Sequence, residues 1–386
     1  MRRVGVDMVA AVLLVATVAA ASAAPPVHPP LPRPPAATSA AVVVPAQVAS
    51  PPAPPGPPAP PGPSVPSAAA PATPLRDLPN GLPAQPAPDL PTAAPSGETP
   101  AEAEAAVEDA KDGDIAYAAY QRGLYLAALG FATRRAEAGD ATARTLIGLL
   151  YQDGLGVPRD LARAASWFKL AADAGDPEAA FLLALMLIDG HGVAANPAEA
   201  ARYLELAASK GHIAAAYNLG ILRLGGKAYP RDPAKAADAF EIAAEAGNAD
   251  AQYALAVIYD DGDGRPRDPM RAAFWLGRAA RGGHLAAQVE YAIRLFHGTG
   301  VEPDERQAAI WFQKAAAAGN PIAMNRLARL YANGRGVPAD AVAATAWHLV
   351  ARARGVADPW LDAFVANQPP SVRNAAVDQA DWWVWW

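Results

Sequence analysis

Glycine recurs every 36 residues along much of this 386-residue chain. The first glycine column, here called the column glycines, is Gly139, Gly175, Gly211, Gly247, Gly283, Gly319 and Gly355. A second column, the loop glycines, is Gly154, Gly190, Gly226, Gly262, Gly298 and Gly334. A third column, of aspartate or asparagine, is Asp160, Asn196, Asp232, Asp268, Asp304 and Asp340. Three columns that keep one period without drift are the sequence signature of a repeat protein.

Each column predicts one part of a two-helix unit. Aspartate and asparagine are preferred helix N-caps, because the side-chain oxygen accepts a hydrogen bond from a free backbone N–H. Asp160 therefore begins a helix of about 14 residues, which ends at Gly175 because glycine readily takes the left-handed conformation. We call this the second helix of the unit. The first helix of the next unit starts near Glu178 and ends at the loop glycine Gly190.

The apolar positions of these helices keep the same period. A small residue stands nine positions after the column glycine, as at Gly148 and Ala184, and allows neighbouring helices to approach closely. One second-helix position, which we assign to the core, is aromatic at Trp167, Tyr203, Trp275, Trp311 and Trp347, while the third unit has Ala239 followed by Phe240. A single hairpin cannot bury both of its helices, so successive hairpins must stack. The sequence predicts an all-α fold, a right-handed α/α solenoid of about six hairpins with helical caps.

The remaining segments give the domain boundaries. Residues 1–23 resemble a signal peptide, with Arg2 and Arg3 before an apolar run and a small-residue cleavage site at its end, although an uncleaved signal anchor is the alternative. Residues 24–100 hold 27 of the 40 prolines and are expected to be a disordered Pro/Ala-rich linker. Residues 101–138 are predicted to form an N-terminal capping hairpin, 139–355 the repeats, and 356–386 C-terminal capping helices with a tryptophan-rich tail. The expected location is periplasmic or secreted, or anchored to the inner membrane and facing the periplasm.

One repeat shows a family resemblance. The segment YQDGLGVPRDLARAASWFKLAADAGDPEAA, which starts at Tyr151, resembles a Sel1-like repeat of the tetratricopeptide-like solenoids. The third unit departs from the pattern at GGKAYPRD, where Ala228 replaces the second loop glycine. The resemblance implies a scaffold or adaptor that binds proteins of the bacterial envelope, in exopolysaccharide export, cell-wall assembly or regulation of a sensor. The alternative is a cell-wall hydrolase, but the β-lactamase-like branch of similar proteins relies on paired cysteines and this chain has no cysteine.

Composition and motifs argue against a catalytic or metal-binding function. The net charge of -6 comes without a block of lysine or arginine, so nucleic acid is not an expected partner. The six histidines lack metal-ligand spacing and no nucleophile or phosphate motif is found, so we predict no enzyme, cofactor or metal site. The loop DDGDGRPRD from Asp260 resembles a calcium-ligand string, but it lacks the distal glutamate of such loops. Capping and turn roles explain His212 and His284 better than catalysis does.

A partner is expected on the first helices, which usually face the inner groove of such solenoids. Position seven after the column glycine reads Leu146, Leu182, Asn218, Ala254, Glu290 and Arg326. One turn further, Arg294 and Arg329 add charge. We predict a groove that binds a peptide through polar contacts, with two tyrosines as apolar anchors. Its residues are Tyr217, Asn218, Tyr253, Glu290, Arg294, Arg326 and Arg329. The alternative is that these positions are ordinary solvated helix faces.

The last five residues place four indoles at the chain terminus, at Trp382, Trp383, Trp385 and Trp386. Two interpretations stay open. The tail folds back over the last hairpin as an apolar lid, or it inserts into a membrane interface or a partner pocket.

Overall fold

A computed structural model describes residues 115–226 and 229–384, with side chains as far as Ala380 at the C-terminal end. The predicted signal segment, the linker and most of the tryptophan-rich tail lie outside the described residues. Over the described ranges the chain forms 16 helices and no strand. The first helices of the six units are α3 (Ala141–Asp153), α5 (Pro177–Asp189), α7 (Ile213–Gly225), α9 (Ala249–Asp261), α11 (Leu285–His297) and α13 (Pro321–Asn333). The second helices are α4 (Leu161–Asp173), α6 (Pro197–Ser209), α8 (Pro233–Glu245), α10 (Pro269–Arg281), α12 (Glu305–Ala317) and α14 (Ala341–Ala353).

The predicted starts and stops of the helices are confirmed. The Asp160 side chain accepts a hydrogen bond from the backbone N–H of Arg163, and the other members of its column cap their helices in the same way. The column glycine Gly175 has φ of 94°, and the loop glycine Gly190 has φ of 73°. Both φ values lie in the left-handed region that favours glycine, which explains why glycine recurs at these positions of every unit. His212 and His284 also cap helices, as predicted, through Nδ1.

Successive helices pack on one another along the whole array, so the units stack into the predicted solenoid. Trp167, Trp275 and Trp311 are buried in it, while Tyr203 and Trp347 are half-buried. Phe240 does not take the place of the missing tryptophan in the third unit. It belongs to a separate, fully buried position that every unit has one residue later, and the third unit has only Ala239 at the tryptophan position.

Helices close both ends of the array. At the N-terminal end, α1 (Ile115–Gln121) and α2 (Tyr125–Glu137) form a hairpin whose turn contains Gly123 with φ of 79°. At the C-terminal end, α15 (Pro359–Ala366) follows the last unit and α16 (Pro370–Val384) packs along α14. None of the helices in the two described ranges combines the length and hydropathy that a bilayer crossing requires.

Candidate functional site

Each first helix has one face that stays accessible to solvent. In α5 the side chains of Ala179, Leu183 and Leu187 are buried, whereas Leu182 and Leu185 are only half-buried. These half-buried residues stand seven and ten positions after the column glycine, a spacing that places them on one side of a helix. Position seven is buried in the first and fourth units, at Leu146 and Ala254. We call these two positions, taken over all six units, the first-helix face.

Position ten of this face is aliphatic in five successive units. The half-buried residues at this position are Leu149, Leu185, Ile221, Val257 and Ile293. In the sixth unit the position is taken by Arg329. A row of partly accessible aliphatic side chains, in register across the stack, gives this face an apolar strip. This strip is not among the predicted groove residues, although the 36-residue period already contains it as a column of leucine, isoleucine and valine.

Three of the predicted groove residues come together between α9 and α11. The Tyr253 hydroxyl donates a hydrogen bond to Glu290 Oε1 at 2.7 Å. One turn along the same helices, Arg294 forms an ion pair with Asp260, a residue that the sequence analysis assigned only to the loop. Burial raises the pKa of the Glu290 carboxyl, against the hydrogen bond from Tyr253, which lowers it. The result is a polar cluster that joins two neighbouring units.

His284 extends this cluster toward the start of α11. Its ring stacks on the Tyr253 ring with centroids 4.3 Å apart, and its Nδ1 accepts the backbone N–H of Ala287 at 3.1 Å. Because Nδ1 accepts a hydrogen bond, the ring is the neutral tautomer with its proton on Nε2, which lies 3.7 Å from Asp250 Oδ1. Burial lowers the pKa of His284, against the opposing effect of Asp250.

The other predicted groove residues lie apart from this cluster. Asn218 donates to the Ala214 carbonyl of its own helix at 2.8 Å. Tyr217 packs on the Phe240 ring with centroids 5.9 Å apart, and its buried hydroxyl has no hydrogen-bond partner among the described residues. Burial raises the pKa of Tyr217. The structure thus directs most of the Tyr217 side chain toward the core, where it serves packing.

The two arginines of the last unit differ in what they contact. Arg326 is exposed and makes no ion pair with any described residue. Arg329 instead binds Asp358 through two hydrogen bonds of 2.7 Å, and its guanidinium lies 5.3 Å from the centroid of the Trp360 ring. Arg329 therefore joins the last repeat to the C-terminal cap, and Arg326 is the free cation at this end of the first-helix face.

Three of the four carboxylates in the loop that resembles a calcium-ligand string are engaged elsewhere. Asp260 pairs with Arg294, Asp263 with Arg231, and Asp268 caps α10. No group of three or more ligating side chains with metal-binding geometry occurs within 115–226 and 229–384.

Comparison with known proteins identifies the repeat. The Sel1 repeat matches six successive segments, at residues 141–176, 177–212, 213–248, 249–284, 285–320 and 321–356. The crystal structure of a Sel1 repeat protein from Oxalobacter formigenes is similar, with 32% sequence identity, a TM-score of 0.50, and coverage of 62% of this chain and 98% of that chain. A protective antigen of uropathogenic Escherichia coli strains, which displays an SLR fold, is 26% identical over 74% of this chain and 71% of its own, with a TM-score of 0.44. No curated protein matches the chain. Because the six matched segments cover more than half of the residues, the chain belongs to the Sel1 repeat family.

Proposed function

We propose that this chain is a protein-interaction scaffold exported to the bacterial envelope, and that its first-helix face binds an extended peptide segment of a partner. Sel1 repeats typically form scaffolds for interactions between proteins. The observation that carries the proposal is the aliphatic strip at position ten, which continues without interruption through five units.

The spacing of the strip fits an extended ligand. Neighbouring packed helices lie roughly 10 Å apart, so each unit offers one apolar contact per roughly 10 Å. A peptide in the polyproline conformation rises about 3.1 Å per residue and returns to the same side every third residue, which is roughly 9 Å. A partner segment with an apolar side chain at about every third position would therefore meet Leu185, Ile221 and Val257 in turn.

The polar groups at the C-terminal end give such a peptide a direction. The strip passes the Tyr253 and Glu290 pair and ends next to the unpaired guanidinium of Arg326. Guanidinium groups bind carboxylates through charge-assisted hydrogen bonds. We therefore expect the bound segment to place apolar residues over the first five units and an acidic group over the sixth.

The envelope location rests on the resemblance of residues 1–23 to an export signal. The processes we propose are exopolysaccharide export, cell-wall assembly or regulation of a sensor, as the resemblance to exported repeat proteins implies. We propose a binding role without catalysis. The alternative, a cell-wall hydrolase, predicts turnover of nitrocefin or muropeptides by the full chain, and we expect none.

Site-specific photo-crosslinking in the native host tests the binding face. The change is Val257→p-benzoylphenylalanine, which places the reactive group in the aliphatic strip. The matched control is Ile242→p-benzoylphenylalanine, because Ile242 is an exposed aliphatic residue, 49% accessible, on the second helix α8. We expect adducts with a discrete envelope protein from position 257 that are absent from position 242 and are reduced by Arg326→Glu.

Two results would contradict the proposal. Adducts of equal identity and yield from both positions would show that the first-helix face has no special role. Recovery of the chain only with cytoplasmic proteins, in a fractionated cell, would contradict the envelope location while leaving the binding face standing.

A further inference from the structure

Large apolar side chains protrude from the outer side of two neighbouring second helices. Met270 and Phe274 of α10 are 72% and 55% exposed, and Ile310 of α12 is 44% exposed. Phe274 and Ile310 occupy the same position of the 36-residue unit, so they lie beside one another in the stack. Exposed apolar side chains that cluster in this way mark a contact surface.

Unpaired cations surround these apolar residues. Arg278, Arg281, Arg306 and Lys314 form no ion pair with any described carboxylate. Helix α10 contains no acidic residue, and the only one in α12, Glu305, pairs with Arg335.

Two of these cations rest on tryptophan rings. The Arg278 guanidinium lies 5.0 Å from the centroid of the Trp275 ring, and the Lys314 ammonium lies 4.4 Å from that of Trp311. In each cation–π contact the charged group itself lies against the ring, and neither side chain is removed from solvent, since Lys314 is exposed and Arg278 is half-buried. The charges are therefore available to an anionic ligand.

The same layer of the third unit is more acidic. Helix α8 carries Asp238 and Glu245 where α10 carries Phe274 and Arg281, and it has the exposed Ile242 at the position of Arg278. The repeat fold does not require a cationic and apolar surface at these positions, since α8 packs in the same way without one. The surface is specific to units four and five.

We propose that the outer face of α10 and α12 binds a membrane surface rich in anionic lipid. We define this outer face as Met270, Phe274, Ile310, Arg278, Arg281, Arg306 and Lys314. Apolar side chains that enter the boundary between headgroups and acyl chains, together with Lys and Arg that bind lipid phosphates, give peripheral membrane binding. This face combines the two kinds of side chain on the exposed side of two neighbouring helices, which suits the boundary between lipid headgroups and acyl chains.

The outer face belongs to the second helices, while the proposed peptide site belongs to the first helices. Both ligands can therefore be held at once, and the proposal does not depend on the peptide site. A chain attached in this way would present its first-helix face to partners at the membrane surface.

A single fluorescent label tests the proposal on the full chain, which has no cysteine of its own. Phe274→Cys carries an environment-sensitive fluorophore on the outer face, and Arg202→Cys carries it at the same repeat position on α6. With vesicles of phosphatidylcholine and phosphatidylglycerol, we expect a blue shift from the label at 274 and none from the label at 202. A local probe separates this contact from any binding through the N-terminal segment or the C-terminal tail.

Charge reversal tests whether the outer face requires anionic lipid for binding. Adding Arg278→Glu and Arg281→Glu to the Phe274→Cys chain should weaken the vesicle response at least about tenfold, because each cation near an anionic surface contributes to binding. The matched control adds Lys210→Glu to the same labelled chain, and its response should persist. Circular dichroism spectra that match the parent establish that each variant is folded.

Three outcomes would overturn the proposal. The label at 274 responds no more than the label at 202, or it responds equally to pure phosphatidylcholine, or it responds to polyglutamate but not to either kind of vesicle. The last result would assign the face to an acidic protein partner.

Discussion

In the first four units the sizes of two core residues match. The fully buried second-helix position is Phe168, Leu204, Phe240, Leu276, Phe312 and His348 in successive units. A Cβ added to Gly148 would lie 2.5 Å from Phe168 Cε1, and a Cβ on Gly220 would meet Phe240 at the same distance. The second and fourth units carry alanine at the first position and leucine at the second, so the smaller partner leaves room for a methyl group. The fifth unit keeps Ala292 with Phe312.

This match predicts a compensating pair of substitutions. Gly148→Ala should lower the free energy of unfolding by about 1–3 kcal/mol, because the methyl group overlaps the Phe168 ring. Phe168→Leu alone should also destabilise, since it leaves unfilled volume beside the glycine. The double variant recreates the combination of the second unit, and urea unfolding should show a cost smaller than the sum of the two. Simple additivity of the two costs would refute the size match.

A second residue-scale prediction concerns the cap residue His284. Burial lowers its pKa in the folded chain, and the unfolded chain has the ordinary value of about 6.5. As the pH falls below about 6.5 the unfolded chain takes up the proton first, so stability is lost on acidification. His284→Asn should remove this loss and keep the cap, because Asn248 and Asn320 cap the neighbouring units. Melting temperatures at about pH 7.5 and 5.5 give the comparison. An equal drop in both proteins would contradict it.

At the scale of elements, polar contacts fix the C-terminal cap to the last repeat. The Asp358 side chain caps α15, is 6% exposed, and accepts hydrogen bonds from Asn325 and Arg329. The hydrogen bonds from Arg329 hold the pKa of Asp358 well below its usual range, against the effect of burial. One turn into α15, Asp362 accepts from the buried His348 at 2.9 Å. The last unit thus uses polar residues where earlier units have apolar ones.

Two arginines of α13 have different roles: Arg329 contributes to stability, and Arg326 is proposed to bind the partner. Arg329→Ala should lower the free energy of unfolding by on the order of 2 kcal/mol, because it leaves the Asp358 carboxylate buried with fewer partners. The loss should be smaller than for a fully buried pair, since the Arg329 side chain is 41% exposed. Arg326→Ala is the control and should change stability by less than about 0.5 kcal/mol. Urea unfolding measures both, and equal losses would refute the assignment of Arg329 to the cap.

At the scale of the whole solenoid, the buried side chains fall into two sets that meet in the third unit. One set extends from Ala116 to Leu219 and ends with Ala239, and the other runs from Ala208 to Ala380. Helix α8 contributes side chains to both sets, Ala239 to the first and Phe240 to the second. The division falls where alanine replaces the tryptophan of other units, because a small side chain cannot bridge neighbouring layers.

The two sets predict two cooperative groups. In a solenoid each unit contacts only its neighbours, so a boundary between two sets of buried side chains can divide the stability of the array. Native-state hydrogen exchange should give α3 to α6 one opening free energy and α9 to α14 another. Phe240→Ala should lower the value of α9 to α14, because Phe240 belongs to that set. One common value for all these helices would contradict the boundary.

The period made most of the fold predictable. Glycine and the Asp or Asn caps act locally, through a backbone conformation and a hydrogen bond within a few residues, so their spacing alone locates helix ends. Position seven could be aligned in the same way and drew attention to Glu290 and Arg326. What alignment could not supply is the partner of each charge, since Arg294 meets Asp260 and Arg329 meets Asp358 only after neighbouring elements stack.

The sequence by itself determined that this chain forms stacked helical hairpins, because caps, stops and small residues are local signals repeated at a fixed interval. Only the tertiary structure decided which side chains remain available to a ligand. Ion pairs and burial depend on contacts between residues about 30 positions apart, as between Arg329 and Asp358. Those contacts joined Arg329 to the C-terminal cap, packed Tyr217 against the core and left Arg326 exposed. They also brought Met270, Phe274 and the unpaired cations onto one outer face.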